Sequence, residues 1–233
     1  MQLSKSIKIP LILAGVCWVI EFMEMGLQHE FHSLGIYPRH PSGLIGIVCH
    51  PFLHGDLKHL ASNTFSFIFL CSSIIFFFPR ISRRVILTIY LLTGFGVWLL
   101  ARPAYHIGAS GLIYGFASFL FFIGVFQKNS NSLIISLIIA LLYNGMLYGI
   151  LPAQEGVSWE SHLIGAFVGA VVAYYFRNAT TEMFRHITTQ VGEVHFEGYV
   201  NIETPHYKYT YLENGEKNKE EDKQPLDSST EKN

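Results

Sequence analysis

Residues 106–115 read His-Ile-Gly-Ala-Ser-Gly-Leu-Ile-Tyr-Gly, and the interpretation of the whole chain depends on this stretch. It places Ser110 between two glycines, directly before an apolar run of helix length, with Tyr114 four residues later. A serine at the start of a helix is by itself more often a cap than a reactive group. Two other stretches, His59-Leu-Ala-Ser-Asn63 and Ser161-His162-Leu-Ile-Gly165, give it meaning because the predicted topology brings all three to one face of a membrane.

The composition is typical of a membrane protein with a polar tail. Of the 233 residues, 50% are hydrophobic and 14% are charged, whereas a soluble domain carries about 25% charged residues. Residues 1–190 hold 11 Lys and Arg and 7 Asp and Glu, whereas residues 191–233 hold 5 Lys and 10 acidic residues. No basic stripe indicates a nucleic-acid partner, and the three cysteines fit no metal or redox spacing.

Six apolar stretches approach the length of about 17–25 residues that a membrane-spanning helix needs. They cover residues 9–27, 60–78, 85–101, 110–126, 133–151 and 157–176. The sequence therefore predicts an all-α, polytopic membrane protein with a six-transmembrane-helix domain over residues 9–177. Residues 1–8 precede it, and residues 178–233 form a short, soluble, acidic tail that we expect to be largely disordered from about residue 213.

The orientation of the spans follows from the Lys and Arg residues of the short loops, which are more frequent on the cytoplasmic side. Eight lie on one side, namely Lys5, Lys8, Arg80, Arg83, Arg84, Lys128, Arg177 and Arg185. Three lie on the other side, namely Arg39, Lys58 and Arg102. Both termini are therefore predicted to be cytoplasmic. The long first outer loop, about residues 28–59, is predicted to contain a structured element.

Four polar side chains fall at the outer ends of three predicted spans: His59 and Asn63 on the second, Ser110 on the fourth and His162 on the sixth. Such groups are costly at membrane depth and are usually kept for a function. A serine hydroxyl becomes a nucleophile when a base takes its proton, and His is the usual base. We therefore interpret Ser110 as a nucleophile and His162 as its general base. No Asp or Glu is well placed to orient His162, so the sequence predicts a dyad rather than a triad.

Small residues predict that the fourth and sixth spans pack closely. Gly111 and Gly115 lie on the fourth span, and Gly165 and Gly169 repeat the same spacing on the sixth. Small residues at this spacing let two helix backbones approach in lipid, so the imidazole is expected to reach the serine. Tyr114, one turn further along the fourth span, is expected to stack against the imidazole.

The second span is expected to supply donors for a developing oxyanion. His59 and Asn63 are four residues apart, so they project from one face of a helix, and both can donate hydrogen bonds. The helix N-terminus at Ser110 adds backbone N–H groups and the positive end of a helix dipole. Peptide-bond cleavage needs donors of this kind.

Each of these residues alone has a simpler interpretation. Ser110 could cap a helix, His162 could satisfy an interhelical hydrogen bond, and Asn63 could join two helices as a polar contact. One function explains the type, side and depth of all of them together, and this favours a membrane-embedded serine hydrolase.

At Gly108-Ala-Ser-Gly111, His59-xxx-Asn63 and His162-xx-Gly165-xxx-Gly169, the chain resembles the rhomboid family of intramembrane serine proteases. The likeness covers about residues 10–177 and includes Phe52-Leu-His54-Gly-Asp56, which leads into the second span. It implies a six-span bacterial type of fold in the inner (cell) membrane. It also implies a serine endopeptidase that cleaves transmembrane segments of membrane proteins and that uses no cofactor and no metal.

The resemblance implies a role for each matching residue. Ser110 would be the nucleophile and His162 the general base, while His59, Asn63 and the Ser110 backbone N–H would form the oxyanion hole. The residues implied to support the site are Tyr114, Gly108, Gly111 and His54. The partners implied are transmembrane protein substrates and the lipid bilayer, and the sequence does not indicate an oligomeric state.

One departure from the family concerns the first outer loop. Many members carry a Trp-Arg pair there, whereas this loop has no tryptophan and reads Gly35-Ile-Tyr-Pro-Arg39, similar to the variant form of other members. The role of this loop stays open.

Two other functions are alternatives. A non-catalytic rhomboid-like protein that binds transmembrane clients would share the fold, although such proteins usually lack the serine or the base. The other is a metal-dependent membrane enzyme or metal transporter, because eight of the eleven histidines lie on the outer side and His50, His54 and His59 are closely spaced. That alternative needs three or four converging ligands, and the sequence shows neither a helical His-Glu motif nor a cluster of carboxylates.

Overall fold

The chain divides into a long helical unit, Met1–Val191, and a short C-terminal unit, Gly192–Asn233. A computed structural model describes residues 3–127, 130–143, 146–152, 158–178, 209–211 and 217–219. The regular elements described in the long unit are all helices: α1 (Leu3–Leu27), α2 (Gly46–Cys49), α3 (Leu57–Phe77), α4 (Ser82–Leu100), α5 (Ser110–Gln127), α6 (Ser130–Leu142), α7 (Met146–Gly149) and α8 (Trp159–Tyr175). The all-α prediction for this unit is confirmed.

Among the described residues, four helices are long and apolar enough to cross a membrane, namely α1, α3, α4 and α5. Each overlaps one of the first four predicted spans, so these four spans are confirmed as helices of sufficient length. Large apolar side chains point outward from them; Phe65 on α3, for example, is 73% exposed. Soluble proteins rarely expose extended apolar surface, whereas helices that contact lipid are expected to do so.

The fifth predicted span differs from the expectation, and the sixth stays a prediction. Instead of continuing to residue 151, α6 ends at Leu142, and α7 is a separate helix of four residues. Asn144 and Gly145, which stand between α6 and α7 in the sequence, have low helix propensity. The last helix, α8, has 17 residues, which is the lower limit for a spanning helix.

The closest helix contact is that between α5 and α8, and it is made by glycines. A Cβ atom at Gly165 would lie 2.0 Å from the carbonyl oxygen of Gly111, and one at Gly169 would lie 2.1 Å from that of Gly115. A carbon atom cannot approach a carbonyl oxygen so closely, so only residues without a side chain allow this packing. The predicted close approach of these two helices is confirmed.

The same helix α5 lies at the centre of the helical unit. It packs against α3, α4, α6 and α8. Its side chains Phe116, Phe119 and Leu120 are completely buried. Ser110 is the first residue of α5, and α5 is the helix that is most surrounded by other helices in the described part of the chain.

The loop between α1 and α3 is structured, as predicted. Besides α2 it contains three 3-10 turns, His32–Leu34, Pro41–Leu44 and His50–Phe52. Ile36 pairs with His106 through two backbone hydrogen bonds of 3.0 and 2.9 Å. Arg39 donates from Nη1 to the Ala101 carbonyl oxygen at 2.7 Å. These contacts join the loop to the segment that precedes α5.

The described residues of the C-terminal unit form a short antiparallel strand pair. β1 (Tyr209–Tyr211) pairs with β2 (Lys217–Lys219), with Tyr209 opposite Lys219. β2 falls in the stretch from about residue 213 for which the composition predicts no packed fold. An isolated two-stranded hairpin is marginal in water, so this pair alone does not make an independent domain. Residues 179–208 of the predicted tail lie outside the described residues.

Gly165→Ala is expected to lower the free energy of unfolding by about 1–3 kcal/mol, the usual cost of overpacking a tight contact, because the new methyl group would meet the Gly111 carbonyl oxygen. Gly15→Ala in α1 is the matched control, since a Cβ atom there meets nothing within 4 Å. Thermal unfolding in detergent micelles measures both variants. An unchanged unfolding midpoint for Gly165→Ala would contradict the described approach of α5 and α8.

Candidate active site

Two helices bring a hydroxyl group and an imidazole into contact. Ser110 is the first residue of α5 and is half-buried, and His162 lies in the first turn of α8 and is buried. The distance between Ser110 Oγ and His162 Nε2 is 2.8 Å, a normal hydrogen-bond length. The glycine contacts between α5 and α8 bring the two residues this near. At this separation the imidazole can accept the hydroxyl proton directly.

Tyr114 provides a flat surface for the imidazole. The ring centroids of Tyr114 and His162 are 4.2 Å apart, and the two ring planes differ by 5°. Tyr114 follows Ser110 by four residues on α5, so the hydroxyl group and the stacking ring share one helix face. The stacking limits the imidazole to one plane.

His59 and Asn63 lie beside Gly108, two residues before Ser110. A Cβ atom at Gly108 would be 2.9 Å from His59 Cε1 and 3.7 Å from Asn63 Nδ2. Gly108 also has φ = 100°, which glycine adopts readily and other residues do not. Asn63 Nδ2 is buried, and the structure gives it no hydrogen-bond partner among the described residues. The Asn63 side-chain amide is thus a hydrogen-bond donor that lies close to the backbone before Ser110 and has no described acceptor.

The first turn of α3 is fixed by an N-cap. Asp56 Oδ1 accepts a hydrogen bond of 2.7 Å from the backbone N–H of His59. This bond lowers the pKa of Asp56, so the cap is charged at neutral pH. An aspartate directly before an apolar run is a typical helix start signal. That signal is present in the sequence and is sufficient to identify Asp56 as a candidate N-cap.

His54 occupies a buried position next to His59. Their ring centroids are 5.1 Å apart in an edge-to-face arrangement. His54 is 2% exposed, and neither ring nitrogen has a hydrogen-bond partner within the described part of the chain. Burial, with a smaller effect of His59, lowers the pKa of His54 to about 4. The ring lines an apolar cavity that Ala14 and Cys17 of α1 also line. His54 therefore supports His59 as a neutral side chain.

A polar network that the sequence analysis missed joins the segment before α5 to the start of α8. Arg102 Nη1 donates to both carboxylate oxygens of Glu160 at 3.2 Å. Ser158 Oγ lies 2.5 Å from His106 Nδ1 and 2.6 Å from Ser161 Oγ. Burial lowers the pKa of His106, which favours the neutral ring. Because Arg102 and Glu160, and His106 and Ser158, are more than 50 residues apart in sequence, no local pattern predicts these two pairs.

The second ring nitrogen of His162 also has a partner that the sequence analysis missed. His162 Nδ1 lies 2.8 Å from the carbonyl oxygen of Gly149, the last residue of α7. This acceptor belongs to the backbone, so no residue type marks it in a sequence. The imidazole is thereby in contact with a different helix at each nitrogen.

The closely spaced histidines of the first loop do not form a metal cluster. Within the described ranges, no group of three or more His, Cys, Asp or Glu side chains is arranged to hold a metal ion. His50 Nδ1 instead lies 2.9 Å from the Gly46 carbonyl oxygen, and burial lowers the pKa of His50 to about 4. Its own carbonyl oxygen accepts a hydrogen bond of 2.8 Å from the Gly108 backbone N–H. His50 thus holds the turn that leads into α5.

Comparison with known proteins agrees with this description. The rhomboid domain family matches residues 41–179 of the chain. An uncharacterized protein of Mycobacterium tuberculosis is 34% identical over 175 residues, which cover 70% of this chain and 72% of the relative. An uncharacterized protein of Mycobacterium leprae is 31% identical over 175 residues, covering 70% of this chain and 68% of the relative. The matched region of the family includes α3, α5 and α8, which carry the site.

Acid is expected to destabilise the protein partly through His54. An unfolded histidine has a pKa of about 6.5, whereas the buried ring has a pKa of about 4, so the unfolded state binds the proton first as the pH falls. The stability that the neutral ring contributes is complete above about pH 6.5 and is lost as the pH falls toward 4.

His54→Phe keeps an aromatic ring and removes the titrating group. The unfolding midpoint of this variant should therefore fall less between pH 7 and pH 4.5 than that of the wild type. His29→Phe is the control, because His29 is exposed. If the unfolding midpoint of His54→Phe had the same pH dependence as that of the wild type and of His29→Phe, His54 would not be a buried neutral group.

Proposed function

The chain belongs to the rhomboid family, and on this premise we propose that it is a serine-type endopeptidase that cleaves transmembrane segments of membrane proteins. One observation carries the proposal: the contact of 2.8 Å between Ser110 Oγ and His162 Nε2. The stacking of Tyr114 on the imidazole supports it, since an oriented base is what an activated serine requires.

In the proposed reaction, His162 Nε2 takes the Ser110 proton while Oγ attacks the carbonyl carbon of the scissile peptide bond. The resulting imidazolium gives this proton to the nitrogen of the leaving segment when the tetrahedral intermediate collapses. The acyl-enzyme ester on Ser110 is then hydrolysed by a water molecule that His162 deprotonates. Ser110 recovers its proton, so the cycle needs no cofactor.

The oxyanion of the intermediate requires donors that are already in place. We assign this role to His59, Asn63 and the backbone N–H of Ser110. The buried Asn63 Nδ2 without a described partner supports the assignment, because a polar group is rarely kept in such a position without use. The Ser110 N–H belongs to the first turn of α5 and so has no acceptor within the helix.

In the proposed topology, the chain crosses the bacterial inner membrane six times. α1, α3, α4 and α5 supply four crossings, α6 and α7 together supply the fifth, and α8 supplies the sixth. The excess of Lys and Arg in one set of loops supports cytoplasmic termini. With this topology the Ser110 end of α5 and the His162 end of α8 lie toward the opposite face, where the enzyme would meet the outer ends of transmembrane substrates.

Ser110→Ala and His162→Ala are each expected to lower cleavage by about 10⁶-fold, to below detection, because loss of either member of such a pair removes the nucleophile or its base. Asn63→Ala is expected to lower kcat by about 10²–10³-fold, the usual effect of losing one oxyanion donor. Ser73→Ala on α3 is the control for serine removal, since among the described residues Ser73 Oγ donates to the carbonyl oxygen of Phe69 on its own helix.

The measurement is cleavage of a panel of single-span membrane proteins in liposomes, with cut sites mapped by mass spectrometry. The proposal expects wild-type cuts near the outer ends of the spans and none with Ser110→Ala. Equal cleavage by wild type and His162→Ala would contradict the assignment of the base. No cleavage of any substrate by folded wild type would favour the client-binding alternative.

A further inference from the structure

His162 is held by three groups, and the third belongs to neither of the two tightly packed helices. Nε2 contacts Ser110 on α5, the ring stacks on Tyr114, and Nδ1 lies 2.8 Å from the Gly149 carbonyl oxygen on α7. A backbone carbonyl accepts hydrogen bonds and never donates them. In the neutral ring, Nδ1 must therefore carry the hydrogen, and Nε2 must present its lone pair to the serine hydroxyl.

We propose that the Gly149 carbonyl is the positioning group of this site, and that it fixes the tautomer and orientation of His162 in the place that a carboxylate has in a serine protease triad. This inference rests on the proposed function. A histidine held in the wrong tautomer lowers kcat by about 10⁴-fold in a triad enzyme. An acceptor at Nδ1 therefore supports catalysis by keeping the correct tautomer, even when the acceptor carries no charge.

No carboxylate competes for this role in the described part of the chain. The nearest in sequence, Glu160, is paired with Arg102 at 3.2 Å, and the hydrogen bonds of the His162 ring go to Ser110 and Gly149. Side chains alone predict a dyad, since neither Asp nor Glu is placed to orient His162. The geometry adds a third member that a search for Asp or Glu does not find.

The position also requires a glycine. A Cβ atom at residue 149 would lie 2.0 Å from the Tyr114 hydroxyl oxygen and 3.2 Å from His162 Nδ1. A side chain at residue 149 would therefore displace either α7 or the Tyr114 ring. The first shift would lengthen the hydrogen bond to Nδ1, and the second would disturb the stacking on the imidazole. Besides stacking on the imidazole, Tyr114 therefore favours glycine at the point where the carbonyl approaches Nδ1.

The carbonyl can be weakened without changing a side chain. Replacing Ile150 by the corresponding α-hydroxy acid in cell-free synthesis converts the Gly149–Ile150 amide into an ester, whose carbonyl oxygen is a poorer acceptor. We expect kcat on a cleaved substrate of the panel to fall about tenfold, as for one weakened hydrogen bond, with KM unchanged. The matched control replaces Leu151 by its α-hydroxy acid, which also converts one backbone amide into an ester but leaves the Gly149 carbonyl as an amide. Because Leu151 is exposed, its kcat should change less than twofold.

A steric pair tests the glycine requirement. Gly149→Ala should lower kcat by at least about a hundredfold. The double variant Gly149→Ala with Tyr114→Phe should be more active than Gly149→Ala alone, because it removes the atom that the new methyl group would meet most closely. Unfolding midpoints show whether each variant is folded. If Gly149→Ala does not fold, the ester variant alone decides whether the Gly149 carbonyl positions His162.

A readout without substrate separates this inference from the proposed function. In protein labelled with ¹⁵N-histidine, the His162 signals, assigned by their loss in His162→Ala, should show a hydrogen on Nδ1 and none on Nε2 at neutral pH. A hydrogen on Nε2, or an unaffected kcat in the ester variant, would overturn the role of Gly149. If wild type cleaves nothing, the proposed function fails, and the tautomer still decides whether the Gly149 contact exists.

Discussion

The close backbone contact between α5 and α8 is the constraint on which the site depends. Helix association in lipid gains little from the hydrophobic effect, because lipid tails are as apolar as the side chains, so packing must come from close contact. Gly165 and Gly169 on α8 meet the carbonyl oxygens of Gly111 and Gly115 on α5 with no room for a side chain. Ser110 and His162 stand at the ends of these two contacting ridges. Their separation is therefore set by backbone atoms and not by flexible side chains.

The polar groups around the helix ends then fix the remaining freedom. His50 and Ile36 hold the segment before α5 through backbone hydrogen bonds, and the pair of Arg102 with Glu160 holds the start of α8. Buried polar groups are costly unless they are paired. Asn63 Nδ2, which lies next to Gly108 without a described partner, stands out against this background, and an unused donor there is what oxyanion stabilisation would require.

Much of this arrangement could be predicted from the sequence because membrane helices and their packing leave strong local signals. Apolar length identified the first four spans, and the spacing of Gly111, Gly115, Gly165 and Gly169 predicted the closest helix pair. The break after Leu142 was missed, since an apolar run shows length but not continuity. The contact with Gly149 was missed for a different reason: a backbone carbonyl has the same chemistry in every residue, so its role depends only on three-dimensional position. The partners of His106 were missed because they lie far away in the chain.

The most direct test of the account is whether Ser110 reacts as an activated nucleophile that depends on His162. Folded protein in detergent micelles is treated with a fluorophosphonate, and the modified residue is identified by peptide mass spectrometry. The account predicts that Ser110 is phosphonylated in the wild type and that His162→Ala, although folded, is not labelled. Absence of the adduct on Ser110 in the wild type, or equal labelling in His162→Ala, would contradict it.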